Sequence, residues 1–356
     1  MNTMFEYTAS RKLTEEPVFL ASDANLAGIT SVSANGKVFP AAPVDGGLLV
    51  ILSADAGETL ALTAGTEECG GCTASLEADA HKIHLTAGGF AFADYVFDPA
   101  FPKPHLGPIT DNSGNSFTRC NLMHKEHPHQ RSIIIAIGDV NGVDCWNEPA
   151  ETCGYVRNEE IYDVVSSSAY AAFSARNRWT DHDGKPLMTE NTRFVVYNQT
   201  ESCRMLDLRI TLTADSGDVV FGPTKEAGPL GIRLRDELRA DIGQGVLCNS
   251  RGGVGEGDCW GKDAEWCENR KCVLEKNISG CYECKPESCR KGLYKDKIKA
   301  RAFAEFTRRF GVDELLNCLE RNEKSGIVYH REGIIGDYDD FDDLEKLINF
   351  IKTGEK

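Results

Sequence analysis

Across residues 17–266 the apolar positions come in short β-branched and aromatic runs broken by Gly, Asp, Asn and Pro, the pattern of strands joined by turns. Runs at 47–53, 132–137, 192–197, 206–212 and 218–221 predict strands, and the dipeptides Asn35-Gly36, Asn141-Gly142 and Asp183-Gly184 predict turns between such runs. No stretch here holds a helical period over several turns. The pattern therefore predicts a mainly β protein with an antiparallel β-sandwich body over 1–266, with 18–65 as a candidate small β-subdomain, rather than alternating βαβ units. Past Cys267 the period changes. An irregular cysteine-dense stretch runs to Cys289, and helices follow. Residues 296–310 put Ile298, Ala302, Phe306 and Phe310 on one face, residues 313–323 bury Leu315, Leu316 and Leu319 behind an Asp313 cap, and residues 343–352 place Leu344, Leu347, Ile348 and Ile351 together. This predicts a small α-helical, Cys-rich module over 267–356, with Cys318 in its core. Three short helices bury little apolar surface, so a metal staple would stabilise them.

Charge narrows the partners. The chain carries a net charge of −16, and residues 267–356 hold 18 basic and 18 acidic residues, so the whole excess lies in 1–266. A body this acidic repels nucleic acid and anionic membrane, which leaves small molecules as its expected ligands. Eight basic residues at 290–309 are offset by acids nearby and read as a solvated helix face. The longest apolar run is far too short to span a bilayer, and no secretory h-region opens the chain. The expected location is the cytoplasm, where fourteen cysteines stay thiols or metal ligands rather than disulfides.

The spacing Cys267-x4-Cys272-x8-Cys281-x2-Cys284-x4-Cys289 brings five thiols within 23 residues. Thiolates at this density hold Zn²⁺ tetrahedrally or, alternatively, an iron–sulfur cluster, and both need four ligands. These residues, with the segments around Gly326-Ile327-Val328-Tyr329-His330 and Gly336-Asp337-Tyr338-Asp339, resemble the C-terminal part of the cysteine-rich DUF3795 domain. The cysteine-rich half that usually opens that domain is absent, so the resemblance leaves the ligand count open, with His330 and Asp337 as reserve candidates. A further C-x-x-C, Cys69 to Cys72, sits between strand-like runs and reads as a hairpin turn.

Candidate chemistry in the body begins with His124, His127, His129 and Arg131, imidazoles and a guanidinium in a Pro-punctuated loop before an apolar strand. Lys225-Glu226 stands in a Gly/Pro-bounded loop, and Glu256, Trp260 and Lys262 in a glycine-bounded one. Trp beside carboxylates and lysine on loops held by a sandwich suits a saccharide, with ring stacking and hydrogen bonds to hydroxyls; solvated turns are the competing reading. The runs Lys103-Pro104-His105-Leu106-Gly107-Pro108, His127-Pro128-His129-Gln130-Arg131, Gly138-Asp139-Val140-Asn141-Gly142-Val143-Asp144-Cys145-Trp146 and Phe221-Gly222-Pro223-Thr224-Lys225-Glu226 together resemble the DUF6807 family over about 90–266. That family is catalogued as methane oxygenase (PmoA)-like. The resemblance implies a sugar-processing sandwich, with Gln130 where members usually have histidine and with no strands of the family pattern after Trp266.

The expected function is carbohydrate binding or processing, of epimerase, lyase or hydrolase type if catalytic. His127 or His129 would be the acid, Glu226 the base, and Lys225 and Arg131 would hold developing negative charge. Asn141, Trp146, Glu256, Trp260 and Lys262 are the expected substrate contacts. The alternatives are a non-enzymatic metal- or redox-responsive ligand-binding protein, or a truncated fusion of two partial families without activity.

Overall fold

The computed structural model describes residues 4–77, 81–120, 127–199, 203–224, 226, 228–240, 242–249, 252–255, 267–329 and 335–355. The chain divides into two compact units, Met1–Gly245 and Val246–Lys356.

Among the described residues the strands of the first unit all pair antiparallel, with one 3₁₀ turn at Asp236–Leu238. Its first sheet joins β1 (Met4–Thr8), β2 (Leu13–Ala21), β3 (Ser31–Ala34), β4 (Lys37–Val44), β5 (Gly47–Ala54) and β6 (Thr59–Gly65) in the order β1-β6-β3-β4-β5-β2. Alternate residues of these strands, among them Val32, Ala41, Leu48, Val50, Leu52, Leu60 and Leu62, close a core of their own.

Two further sheets face one another. The six-stranded sheet contains β7 (Thr73–Glu77), β8 (Lys82–Ala87), β9 (Phe90–Val96), β10 (His105–Leu106), β11 (Ile133–Ile135) and β16 (Leu230–Ile232) in the order β16-β11-β10-β9-β8-β7. The four-stranded sheet runs β12 (Tyr155–Ser166), β13 (Tyr170–Thr180), β14 (Pro186–Tyr197) and β15 (Leu206–Thr213). Ile83, Leu85, Phe92 and Tyr95 of the first meet Phe173, Ala175, Phe194 and Val196 of the second in one buried cluster, with Phe173 and Phe194 stacked at 4.6 Å. This is the sandwich that the short apolar runs and turn residues predict. The first sheet is tied to it at Ser168, whose hydroxyl donates to Thr30 O at 2.6 Å, and by Ala42 and Ile51 packing with Ala169 and Tyr197.

The run at 218–221 forms no strand, only a bridge from Phe221 to Val140. Its backbone is instead gripped by Asn141, whose amide donates to Asp218 O at 3.0 Å and accepts from Val220 N at 2.7 Å. Strand β16 is an edge, and Leu230 and Ile232 are 39% and 57% exposed on it.

The second unit is helical: α1 (Glu268–Glu275), α2 (Ile298–Phe310), α3 (Val312–Lys324) and α4 (Leu344–Thr353). Ala302, Phe306, Cys318, Tyr338, Leu347, Ile348, Phe350 and Ile351 make its core. Three details differ from the sequence reading. The stretch read as irregular holds α1, with Cys267 at its N-cap. Helix α3 starts one residue earlier, from Gly311, without a side-chain cap, because Gly311 at φ 91° turns the chain directly out of α2. Leu316 is exposed, since the helix presents Leu315, Cys318 and Leu319 to the core. Asp343 does cap α4, accepting from Lys346 N at 2.9 Å.

Candidate functional site

A charged cluster is buried in the first unit, where β9, β10, β11 and the 144–148 turn converge. Lys103 precedes β10, and its segment is fixed by Val156 N donating to Pro102 O and by Arg157 donating to Phe101 O. The Lys103 ammonium is 2% exposed and donates to Glu148 Oε1 at 2.6 Å and to Trp146 O at 3.0 Å. Arg131, just before β11, meets the same carboxylate with both terminal nitrogens, at 2.8 and 2.7 Å, and lies 4.9 Å over the Phe101 ring. Glu148 is aimed by an Asx turn in which Asp144 accepts from the backbone of Trp146 and Asn147. Two positive charges on one carboxylate leave the cluster at +1 inside an acidic body.

The local backbone departs from ordinary rules here. His127, Ser132 and Glu148 have φ of 51°, 49° and 62°, the left-handed region that non-glycine residues seldom adopt. Gly107, φ 150°, lies so close to Ser132 that a Cβ would meet its hydroxyl at 2.0 Å.

The environment sets protonation. Burial, and next the Lys103 charge, pushes His129 down to about 4; burial, and next Arg131, does the same to His105. Both imidazoles are therefore neutral at pH 7, which gives His129 the capacity of a base rather than the acid expected from sequence. Burial pulls Lys103 below its ordinary value despite Glu148. Burial raises Glu148, but hydrogen bonds from Arg131 and the Lys103 charge outweigh it and the net direction is down. Buried nitrogens without a hydrogen-bond partner among the described residues gather around this cluster: His129 Nε2, His105 Nδ1, Arg131 Nε and Trp146 Nε1. Trp146, Gln130, Ser132, Gly231 and Arg233 line an open groove of about 260 Å³ beside it. A second buried carboxylate, Glu190, accepts from Asn177, Thr192 and Trp179 between the sheets; burial raises its pKa, and it shares a crevice with His105.

The sequence candidates fall into three groups. His129, Arg131 and Trp146 belong to the buried cluster, and the exposed His127 ring stands 5.8 Å from that of His129. Glu226 does not join them. Its loop flanks 136–139, where Gly138 packs on Thr224 and Gly228 on Ala136 O, beyond the far end of β11 from the histidine loop. Asn141 is occupied in bracing 218–220. His124, Lys225, Glu256, Trp260, Lys262 and His330 lie outside the described residues. Lys103, His105 and Glu148 are not among the sequence candidates, although Lys103 and His105 stand in the Pro-bounded run 103–108 that carries the family resemblance. A lysine inside an otherwise apolar, proline-flanked run was the available signal.

In the second unit Cys272, Cys281, Cys284 and Cys289 line one pocket together with Lys276, Lys285 and Lys291. Lys276 donates to Cys284 Sγ at 3.1 Å and holds that thiol below its ordinary pKa, while burial raises Cys281. Cys267 is apart from the four and uses its sulfur to cap α1, accepting from Arg270 N at 3.4 Å. As placed, no three Cys, His, Asp or Glu side chains among the described residues stand where one metal ion would require them.

A family described as a family of unknown function, DUF6807, matches residues 82–281. The chain belongs to this family. No curated protein and no solved structure matches it. The matched range starts after β7, takes in Lys103, Arg131 and Glu148, and continues past Trp266, where the sequence reading ended the family pattern, through Cys267 and Cys272 to Cys281. No helix among the described residues is long and apolar enough to cross a membrane.

Proposed function

We propose that the body binds a small saccharide, neutral or oxidised, at the groove beside Trp146, with His129 as a neutral base and the Lys103–Glu148–Arg131 cluster holding negative charge that the ligand brings or develops. The supporting observation is that cluster: a buried +1 site, with Trp146 Nε1 and His129 Nε2 still lacking partners among the described residues, in a body whose surface charge repels phosphate backbones. The saccharide class rests on the family resemblance, which implies a sugar-processing sandwich, together with an aromatic ring beside charged groups at the groove. If catalytic, the chemistry is non-redox proton transfer of epimerase, lyase or hydrolase type. The second unit is read as the C-terminal part of a DUF3795-like metal module, supported by four cysteines on one pocket, and this favours a cytoplasmic setting and, as second reading, a metal-responsive binding protein.

The test is calorimetric titration of the full chain with neutral monosaccharides and their uronic and aldonic acids. Trp146→Phe, which keeps the packing and removes the N–H, should weaken binding by roughly 5- to 10-fold, the value of one hydrogen bond. Absence of saccharide binding at millimolar concentration, or tight salt-sensitive binding of duplex DNA or RNA, ends the proposal.

A further inference from the structure

The four cysteines of the second-unit pocket come from different pieces of backbone. Cys272 is on α1, Cys281 opens the 3₁₀ turn Cys281–Glu283, Cys284 closes it, and Cys289 closes the turn Pro286–Ser288. The packing that brings them to one pocket is specific: Asn269 of α1 donates to Lys291 O at 3.0 Å and accepts from Leu293 N at 2.8 Å, so α1 is clasped to the segment after Cys289. Lysines surround the sulfurs. Lys276 reaches Cys284 at 3.1 Å, Lys291 points to Cys272 at 3.7 Å, and Lys285 lines the same pocket.

We infer that Cys272, Cys281, Cys284 and Cys289 bind a single Zn²⁺ as a four-thiolate site, with Cys267 outside the ligand set and Lys276, Lys285 and Lys291 as its outer cations. The inference rests on the reading of this unit as a metal module and narrows it. Four thiolates around Zn²⁺ carry a net −2 charge, and ammonium groups hydrogen-bonded to the sulfurs offset it. Each thiol gives its proton to solvent as its Zn–S bond forms, so binding releases protons. The sulfurs must move inward from their present spacing. Cys281, Cys284 and Cys289 sit in or beside isolated 3₁₀ turns, where such a shift disturbs few backbone hydrogen bonds. Cys267 differs because its sulfur already satisfies a helix N-terminus, and Cys318 because it is sealed in the helical core.

The full chain would be stripped of metal, titrated with Co²⁺ under reducing conditions and back-titrated with Zn²⁺, with metal content measured in parallel. Wild type, Cys267→Ser and Cys318→Ser should each take up one ion with the intense near-ultraviolet thiolate-to-cobalt bands of a tetrahedral site. Cys281→Ser should lose it. To separate loss of the ion from loss of the fold, Cys284→His serves as a second arm, retaining one ion with bands weakened by the lost thiolate. Lys276→Gln should weaken Zn²⁺ affinity by roughly 10-fold, as loss of an outer-shell partner does. Loss of the ion in Cys267→Ser as complete as in Cys281→Ser overturns the ligand set but leaves the metal reading standing. No ion and no cobalt bands in wild type overturns both, and bound iron with acid-labile sulfide overturns the zinc assignment.

Discussion

Glu148→Gln removes the one carboxylate that Lys103 and Arg131 share, and its cost follows from their burial. The ammonium is 2% and the guanidinium 9% exposed, so water supplies little screening to the charges left behind. Three charge-assisted hydrogen bonds are at stake, one from Lys103 at 2.6 Å and two from Arg131 at 2.8 and 2.7 Å. Breaking a buried pair by deleting one partner costs about 3–5 kcal/mol, and Gln retains one acceptor oxygen, so the lower end, about 3 kcal/mol, is expected. The φ of 62° at position 148 is equally strained for Glu and Gln and cancels. In urea, followed by tryptophan fluorescence, this corresponds to a midpoint lowered by about 1 M. The pH dependence has a definite sign. Lys103 already has a folded pKa below its ordinary value through burial, with Glu148 opposing. Without Glu148 it falls further, the unfolded chain then binds more protons than the native one, and stability rises with pH. The deficit of the variant should shrink between pH 7 and pH 10, and Lys103→Met added to it should recover much of the loss. A midpoint within about 0.3 M of the parent at pH 7, or a deficit that ignores pH, would refute the reasoning.

Trp179→Phe leaves the buried Glu190 without its 2.9 Å donor and should cost about 1–3 kcal/mol in the same assay; a neutral result would mean that the carboxyl is satisfied elsewhere. Glu305, fully covered in α2, is held down to about 2 by hydrogen bonds from Arg308 and then Arg309, against burial. Its stabilisation is complete above pH ~4.5 and lost as pH falls towards 2, so the difference between wild type and Glu305→Gln, about 1–2 kcal/mol at pH 7 after allowing for the partly exposed arginines, should vanish by pH 2. A difference that persists there contradicts the pairing. Ile232→Lys on the exposed edge strand should raise solubility, read by light scattering, while changing stability by less than about 0.5 kcal/mol.

The fold was legible where a local pattern ruled a segment. Short apolar runs bounded by turn residues gave β5, β11, β14 and β15, of which β15 alone alternates strictly in burial, and 3.6-residue spacing gave α2, α3 and α4, whose apolar stripe faces the helical core. Residues 218–221 failed since their strand-like composition is answered by the Asn141 side chain rather than by a partner strand. Helix α1 was hidden by its weak amphipathicity; it buries no residue fully and is held by side-chain contacts to 291–293. In the site, His129, Arg131 and Trp146 were legible by residue type. Their carboxylate partner was not, since Glu148 pairs across 17 residues with Arg131 and 45 with Lys103, a distance that no local pattern encodes.

The cluster is also a poor way to stabilise a sandwich. An apolar trio of similar volume would spare the desolvation of three charges, and a buried ion pair commonly gains nothing over such a replacement. Left-handed φ values at His127, Ser132 and Glu148 add strain of order 1 kcal/mol each, and Gly107 has been kept free of a side chain to let Ser132 approach. The apolar faces of the sandwich, by contrast, interlock through Phe173, Phe194 and Tyr95 with no charge buried between these rings. Glu15, Asn35, His81, Asn141 and Asp163 of the same unit also have positive φ, so backbone strain alone does not mark the cluster; what sets it apart is three buried charges beside buried nitrogens that lack partners among the described residues, an arrangement better accounted for by ligand chemistry than by folding. Glu190 differs from this cluster: both of its oxygens accept hydrogen bonds from neutral groups of its own sheet, Asn177 and Trp179 on β13 and Thr192 on β14, so it ties two paired strands together and has no charged partner left over for a ligand.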